Sequence, residues 1–329
     1  MKVCADCFAD EEIKNYINAQ GQLGNCEVTN KSGLLVIDSS DLEDFLVDLI
    51  NLYEEDGEGK FLADHIYEDT QVFSKKEWLY PIMQDTIDRL SLKNKLAKHV
   101  SFRNEVINYR YSWDEIKREV LNEYRYFSHL EDSMLQDLIP MQEMISVETK
   151  LYRARITPDS IEKWNTDEMG CPPVEKTTAG RANPIGIPYL YLCKDDQTPL
   201  YETRTSLQDK VTIGEFVVRE NLRVINLSAQ ISLYGLYLNQ QLLPCMQKKI
   251  FFDKVRDDMS KPKRSVASET EYVPTQLVCE YCKRKGYDGI CFNSSLNKTG
   301  INVVLFKEDK LDCVRTFNKM VTSISIESI

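Results

Sequence analysis

The feature that most constrains this chain is a change of hydrophobic period near residue 150. Before it, apolar residues recur at helical spacing. After it, short alternating runs are separated by loops rich in glycine and proline. Asp41 to Ile50, Lys75 to His99 and Trp113 to His129 each carry an apolar stripe, the second through Trp78, Ile82, Ile87, Leu90 and Leu96, the third through Ile116, Val120 and Tyr124. Pro81 stands near the start of the second, where a helix tolerates proline. Asp56-Gly57-Glu58-Gly59 reads as a turn or loop. From Lys150 on, Leu151 to Ile156, Tyr189 to Leu192, Gly214 to Val218, Leu222 to Leu227, Tyr287 to Phe292 and Ile301 to Phe306 read as strands. Helices are predicted from Pro199 to Leu207 and from Tyr272 to Arg284. The pattern predicts an α+β chain: a helical N-terminal domain over 1–145 and a mixed α/β domain over 146–329. The 329 residues suffice for both.

The charge balance narrows the partners. With 41 Lys and Arg against 52 Asp and Glu, the net charge is −11, so no broad attraction to nucleic acid is expected. A local basic pocket stays compatible with that total. No segment approaches the ~18–20 apolar residues of a membrane span, and the N-terminus has no apolar run of signal-peptide length. The ten cysteines are scattered, which predicts a cytoplasmic protein with reduced thiols.

The chemistry-bearing residues cluster in four pieces of the second half. They are Leu151-Tyr152-Arg153-Ala154-Arg155; Gly180-Arg181-Ala182-Asn183-Pro184; Tyr189-Leu190-Tyr191-Leu192 leading into Leu200-Tyr201-Glu202-Thr203-Arg204; and Gly286 to Ile290 with Ser294-Ser295 and the strand from Asn302 to Phe306. In this order they resemble the RES domain, a family named for its arginine, glutamate and serine. Ala182 departs from the large residue usual there. The resemblance covers about Leu151 to Phe306. It implies an ADP-ribosyltransferase-like fold, NAD as substrate, and action as the toxin half of a toxin–antitoxin pair or as a bacterial defence effector.

The residue types fit that chemistry in their own right. Breaking the nicotinamide–ribose bond builds an oxocarbenium-like centre, as in other glycosidic cleavages. Nicotinamide leaves neutral, so no general acid is needed. Glu202 is the candidate carboxylate for the developing cation, and it could also orient an incoming water. Arg181 offers a planar fork to the pyrophosphate, with Arg153 as a second phosphate ligand and Asn183 beside them in the nucleotide-binding set. Tyr191 would border the nicotinamide ring, and Ser294 or Ser295 would bond the nearby ribose or amide. The bland alternatives are a loop tie for Arg181, a surface ion pair for Glu202 with Arg204, core packing for Tyr191 and a plain turn at the serines.

Other motifs carry less. Cys4-Ala5-Asp6-Cys7 with Cys26 suggests a zinc knuckle, but the position that would complete a second C-x-x-C is Thr29, so a bound zinc needs another ligand. This N-terminal pattern resembles the small domain ahead of RES in HEPN/RES proteins. Cys279 and Cys282 share one face of a predicted helix and read as buried packing. Arg125 and His129 loosely resemble a HEPN ribonuclease motif with the wrong spacing. The expected function is therefore an NAD glycohydrolase or phosphorylase. The alternatives are an ADP-ribosyltransferase acting on a macromolecule and a non-catalytic NAD-binding interaction protein. An antitoxin or immunity protein is the expected partner, and the oligomeric state is left open.

Overall fold

The computed structural model describes residues 1–92, 96–107, 113–125, 138, 141–261 and 269–322. The chain divides into two compact units, Met1–Arg110 with Ile231–Phe251, and Tyr111–Gln230 with Phe252–Ile329. The α+β class holds.

Among its described residues the first unit contains five strands as well as the helices its periodicity announces. β1 (Lys2–Cys4), β2 (Gln22–Asn25) and β3 (Ser32–Asp38) form an antiparallel sheet in the order β1-β3-β2. β4 (Tyr53–Phe61) pairs with β5 (His99–Phe102). The expected loop at residues 56–59 lies inside β4, where the ladder shifts register between Glu55 and Lys60. The helix Glu11–Gln20 is capped by Asp10, whose carboxylate accepts from the Glu12 and Ile13 amides. The first expected helix runs Glu43–Asn51. The second runs Lys76–Arg89 and stops in a turn with Ser91 at a φ of 51°, ahead of β5. The segment 231–251 closes this core: Leu233, Tyr234, Leu242, Cys245 and Met246 are buried with Phe45, Leu46 and Leu49. The Tyr234 ring meets Phe45 edge-on at 5.1 Å.

The second unit is built on an eight-stranded mixed sheet. Its strands are β6 (Gln142–Ile145), β7 (Lys150–Ile156), β8 (Leu190–Cys193), β9 (Lys210–Val218), β10 (Leu222–Asn226), β11 (Gly289–Asn293), β12 (Ile301–Leu305) and β13 (Leu311–Met320). Their order is β13-β9-β7-β8-β12-β11-β10-β6. Only β10 and β11 run parallel; the other pairs are antiparallel. β8, β11 and β12 are buried along nearly their whole length, as central strands covered on both faces are. One layer of the core joins Leu151, Leu190, Leu192, Phe216, Val224, Cys291, Val303 and Leu305. The helix Val273–Arg284 packs on β11 and buries Cys279 and Cys282. Burial pushes both thiols up, Cys282 to about 12, in keeping with a packing role. The helix Trp113–Asn122 is fixed by the buried Trp113, whose indole donates to Asp258 at 2.6 Å. The expected helix stops at Asn122: Glu123 to Arg125 leave it, and Tyr124, expected on its apolar stripe, is exposed. Residues 126–129, His129 among them, lie outside the described residues.

Three central strands end together. Asn293 pairs with Ile301, Asn302 with Cys193, and Tyr152 with Cys193. The C-terminal ends of β8 and β11 and the start of β12 therefore share one edge of the sheet, beside the middle of β7.

Candidate active site

That edge opens into a cavity of about 520 Å³, within the usual size of small-molecule sites. Among its lining residues are Arg153, Arg181, Asn183, Tyr191, Glu202 and Ser295. Residues separated by more than a hundred positions thus reach one cleft. Among the described residues its charged lining is Arg153, Lys176, Arg181, Arg204 and Glu202, four cations to one carboxylate in a chain whose net charge is −11. The local sign is opposite to the global one, which suits an anionic ligand.

Glu202 ends the short helix Thr198–Glu202, which begins with Thr198 and Pro199 after β8. Asp195 accepts from the Thr198 amide at 2.7 Å and from its hydroxyl at 2.6 Å, and so fixes the helix start. The predicted run to Leu207 stops early because Arg204 adopts a φ of 51°, a left-handed conformation that no helix continues. The Glu202 side chain is exposed to the cavity yet held. Its Oε1 accepts from Ser294 Oγ at 2.6 Å and from Asn302 Nδ2 at 2.9 Å. Oε2 takes no hydrogen bond among the described residues. Ser294 is buried, and its oxygen also accepts from the Leu296 and Asn297 amides, each at 3.1 Å. Ser294 thus has no capacity left for a ligand, while Ser295 lines the cavity. The two serines expected to share one role do different things.

The arginine loop is tied down by its own polar groups. Asn183 is buried and donates to the carbonyls of Thr178, Pro184 and Ile187 at 3.0, 3.1 and 3.1 Å. Its Oδ1 accepts from the Tyr191 hydroxyl at 2.7 Å. The Asn183 side chain is therefore spent on the loop. The Tyr191 hydroxyl also accepts from the Ala182 amide at 3.3 Å, so the ring is pinned along the cavity wall by its far end. Burial raises the Tyr191 phenol and keeps it protonated. Gly180 is required by close approach: a Cβ there would lie 2.6 Å from both Asn183 Oδ1 and the Tyr191 hydroxyl. From the helix Val273–Arg284, Gln276 bonds the carbonyls of Gly180 and Asn183, and Thr275 bonds that of Arg181.

The guanidinium of Arg181 donates to the Met259 carbonyl at 2.7 Å. Burial lowers its pKa, against the opposing pull of Tyr272 and Glu202. Arg153, on β7, donates to the Gly170 carbonyl at 2.7 Å, and Arg155 reaches the same oxygen at 2.9 Å. Burial first, and Arg155 second, bring the Arg153 guanidinium down to about 10. These half-buried guanidinium groups are held by backbone carbonyls, with the carboxylates of Glu202, Glu308 and Glu168 acting on them only through space.

Sequence reasoning missed Asn302 as a site residue. Its one signal is a polar residue at the head of the otherwise apolar Ile301-Asn302-Val303-Val304-Leu305. It is buried and bonds both Glu202 and the Cys193 thiol, the latter at 3.3 Å. Lys176 and Tyr272 also line the cavity without any motif to mark them.

In the first unit, the sulfurs of Cys4, Cys7 and Cys26 lie within 4.8 Å of one another, all buried. All ten cysteines are free thiols. Among the described residues no helix is long and apolar enough to cross a membrane.

No curated protein matches the chain. Among solved structures, a chain of the M. tuberculosis MbcT–MbcA toxin–antitoxin complex is distantly similar, with a TM-score of 0.36 and 14% sequence identity over 57% of this chain and 92% of that one. The family model described as the RES domain matches residues 150–323, the span that contains every residue of the cavity, and the chain belongs to the RES domain family.

Proposed function

We propose that this protein is an enzyme that consumes NAD by cleaving the nicotinamide–ribose bond, and that it acts as a toxin restrained by a partner protein. The observation that carries this reading is the Glu202 carboxylate, fixed by Ser294 and Asn302 on the wall of a cavity whose other charged residues are all cations.

Each residue then has a defined task. Arg181 and Arg153 hold the pyrophosphate, with their guanidinium groups already oriented by the Met259 and Gly170 carbonyls. The Tyr191 ring borders the nicotinamide, and Ser295 bonds the adjoining ribose or the amide. The C–N bond breaks with its electron pair leaving on nicotinamide, which departs neutral. Positive charge develops on the ribose carbon, and Glu202 stabilises it. Ser294 and Asn302 keep the carboxylate from swinging away, and Asn183 keeps the arginine loop in register. Glu202 Oε2 orients a water or a phosphate. The oxygen of that acceptor forms the new bond to ribose; from water a proton passes to the carboxylate and on to solvent, whereas phosphate attacks through an ionised oxygen and releases none.

The test is to mix the purified protein with NAD and follow nicotinamide, with and without phosphate. Release of nicotinamide in step with NAD loss supports the reading, and a product that gains phosphate identifies the acceptor. Transfer of ADP-ribose to protein or nucleic acid would make it a transferase. Saturable NAD binding with no nicotinamide released would make it a binding protein and overturn the proposal.

A further inference from the structure

The hairpin of β2 and β3 is anchored in the core at one end, where β3 buries Val36 and Ile37, while its outer part rests on the partly buried Val28 and Leu34. From Gly21 to Leu35 every residue is exposed or half-buried except one, Cys26. Leu23, the largest apolar side chain of β2, is 79% exposed. A single buried thiol gives little transfer free energy, on the order of one or two methylene groups. With the partly buried Val28 and Leu34 as its other apolar contacts, the outer part of the hairpin calls for a further tie. Free cysteines are often buried as simple packing, so burial alone decides nothing here. The company of Cys26 decides.

Cys26 Sγ lies 3.6 Å from Cys7 Sγ, and Cys4 Sγ completes a group within 4.8 Å. The three sulfurs come from separate places: the end of β1, the end of the short turn Ala5–Cys7, and the loop after β2. Sulfurs bound to one zinc at ~2.3 Å in a tetrahedron stand ~3.8 Å apart, so the group needs only a small contraction. Around Cys26 the backbone is already arranged for a thiolate. The Thr29 amide donates to Cys26 Sγ at 3.5 Å, three residues on, and Asn30 turns the chain with a φ of 57°. The Thr29 hydroxyl lies 3.7 Å from Cys4 Sγ. The residue that breaks the sequence pattern therefore sits beside the sulfurs, where a fourth ligand would stand. The ion pair of Lys31 with Asp6, at 2.7 Å, and the Cys26 amide bond to the Lys31 carbonyl close the loop over the group.

We propose that Cys4, Cys7 and Cys26 hold one structural zinc ion that staples the β2–β3 hairpin to the N-terminal strand, with Thr29 bordering the fourth position, which a water or its hydroxyl fills. On binding, three S–H bonds give way to three S–Zn bonds and the protons pass to solvent. Soft thiolates suit zinc over hard cations. The role is independent of the cavity chemistry.

The experiment uses the full-length protein. Protein purified reduced and without chelator is expected to carry about one zinc per chain. Cobalt(II) replacing the zinc should give thiolate-to-metal charge-transfer absorption, rising by about a third in Thr29→Cys as three sulfurs become four. Thr29→Cys keeps every native thiol and so tests the site where Cys26→Ser would simply unfold the hairpin. Removing the metal should speed amide exchange across residues 21–35 at least tenfold while leaving the second unit unchanged. Folded, reduced protein that takes up neither zinc nor cobalt would overturn the site, as would a Cys7–Cys26 disulfide in freshly purified material. An unchanged cobalt band in Thr29→Cys would overturn the placement of the fourth position, and unchanged exchange after metal removal would overturn the stapling role.

Discussion

Two carboxylates in this molecule make similar local contacts in opposite surroundings. Asp10, in the first unit, accepts from Ser232 Oγ at 2.6 Å and from the amides of Glu12, Ile13 and Tyr234 at 3.1, 3.3 and 3.1 Å. Glu202, in the second, accepts from Ser294 Oγ at 2.6 Å and from Asn302. Each is bridged to a serine far away in sequence. Asp10 is 6% exposed, its donors fall on both oxygens, and the residues around it are apolar. Glu202 has its donors on one oxygen and opens on a cavity of cations. A saturated carboxylate is a tie. A carboxylate held by one oxygen and open at the other keeps an oxygen free for a ligand, as the role proposed for Glu202 requires.

The comparison breaks first, and most visibly, at Glu202. Glu202→Gln keeps the shape and an oxygen for Ser294, but removes the charge. Turnover of NAD is expected to fall at least ~100-fold, about 2.7 kcal/mol, with NAD affinity little changed. Stability should move by less than about 0.5 kcal/mol, since no buried group loses its partner. Cells expressing the wild type without restraint should lose NAD and stop growing, and cells expressing the Gln variant should not. A Gln variant that depletes NAD at the wild-type rate would end the proposed mechanism.

Asp10→Ala should show the reverse. It removes a helix cap and leaves the Tyr234 amide and the Ser232 hydroxyl without an acceptor, which together cost about 2–4 kcal/mol. Urea unfolding of the full chain followed by a probe in the first unit should detect it. The turnover of the molecules that remain folded should match wild type. A large loss of turnover at full stability would mean that Asp10 serves the reaction and not the fold.

Much of the second unit was legible because its local and global signals agree. The strands over 151–156, 214–218 and 301–306 alternate or run apolar as half-buried and buried strands must, and a central sheet follows. That Arg181, Tyr191 and Glu202 belong together was suggested by the ordered resemblance to the RES domain rather than by any one of them alone, and all three line one cavity. Other parts had no local signal. β4 reads Tyr53-Glu54-Glu55-Asp56-Gly57-Glu58-Gly59-Lys60-Phe61, nearly all polar, and is a strand only because β5 pairs with its two ends across a register shift. Residues 231–251 join the first unit through Asp10, a contact spanning more than two hundred positions that no periodicity encodes. Asn302 is one polar letter in an apolar strand, and its meaning appears only when the β8–β12 ladder sets it beside Cys193 and under Glu202. Strand pairing, not composition, assembles the site.

Arg181→Lys tests the cationic side of the cavity. Lysine keeps the charge but loses the planar fork and the fixed bond to the Met259 carbonyl. NAD affinity is expected to drop about tenfold, or about 1.4 kcal/mol, with a smaller change in the rate at saturation. Calorimetric titration with NAD on the Glu202→Gln background separates binding from turnover. An unchanged dissociation constant would remove Arg181 from the site.

The smallest and most discriminating effect separates the neighbouring serines. Ser294 bonds Glu202 and two backbone amides and has nothing left to offer a ligand. Ser295 lines the cavity and has no part in holding Glu202 among the described contacts. Ser294→Ala should therefore lower the rate at saturating NAD, by about tenfold, through a looser carboxylate, and leave the KM close to wild type. It should also cost about 1–3 kcal/mol of stability, because two amides lose their acceptor. Ser295→Ala should instead raise the KM about threefold to tenfold, as a neutral hydrogen bond of about 0.5–1.5 kcal/mol is lost, with stability unchanged. Steady-state kinetics on both variants, beside their unfolding curves, checks the division. If both serines act on KM alone, Ser294 touches substrate after all, and Glu202 is held by Asn302 without it.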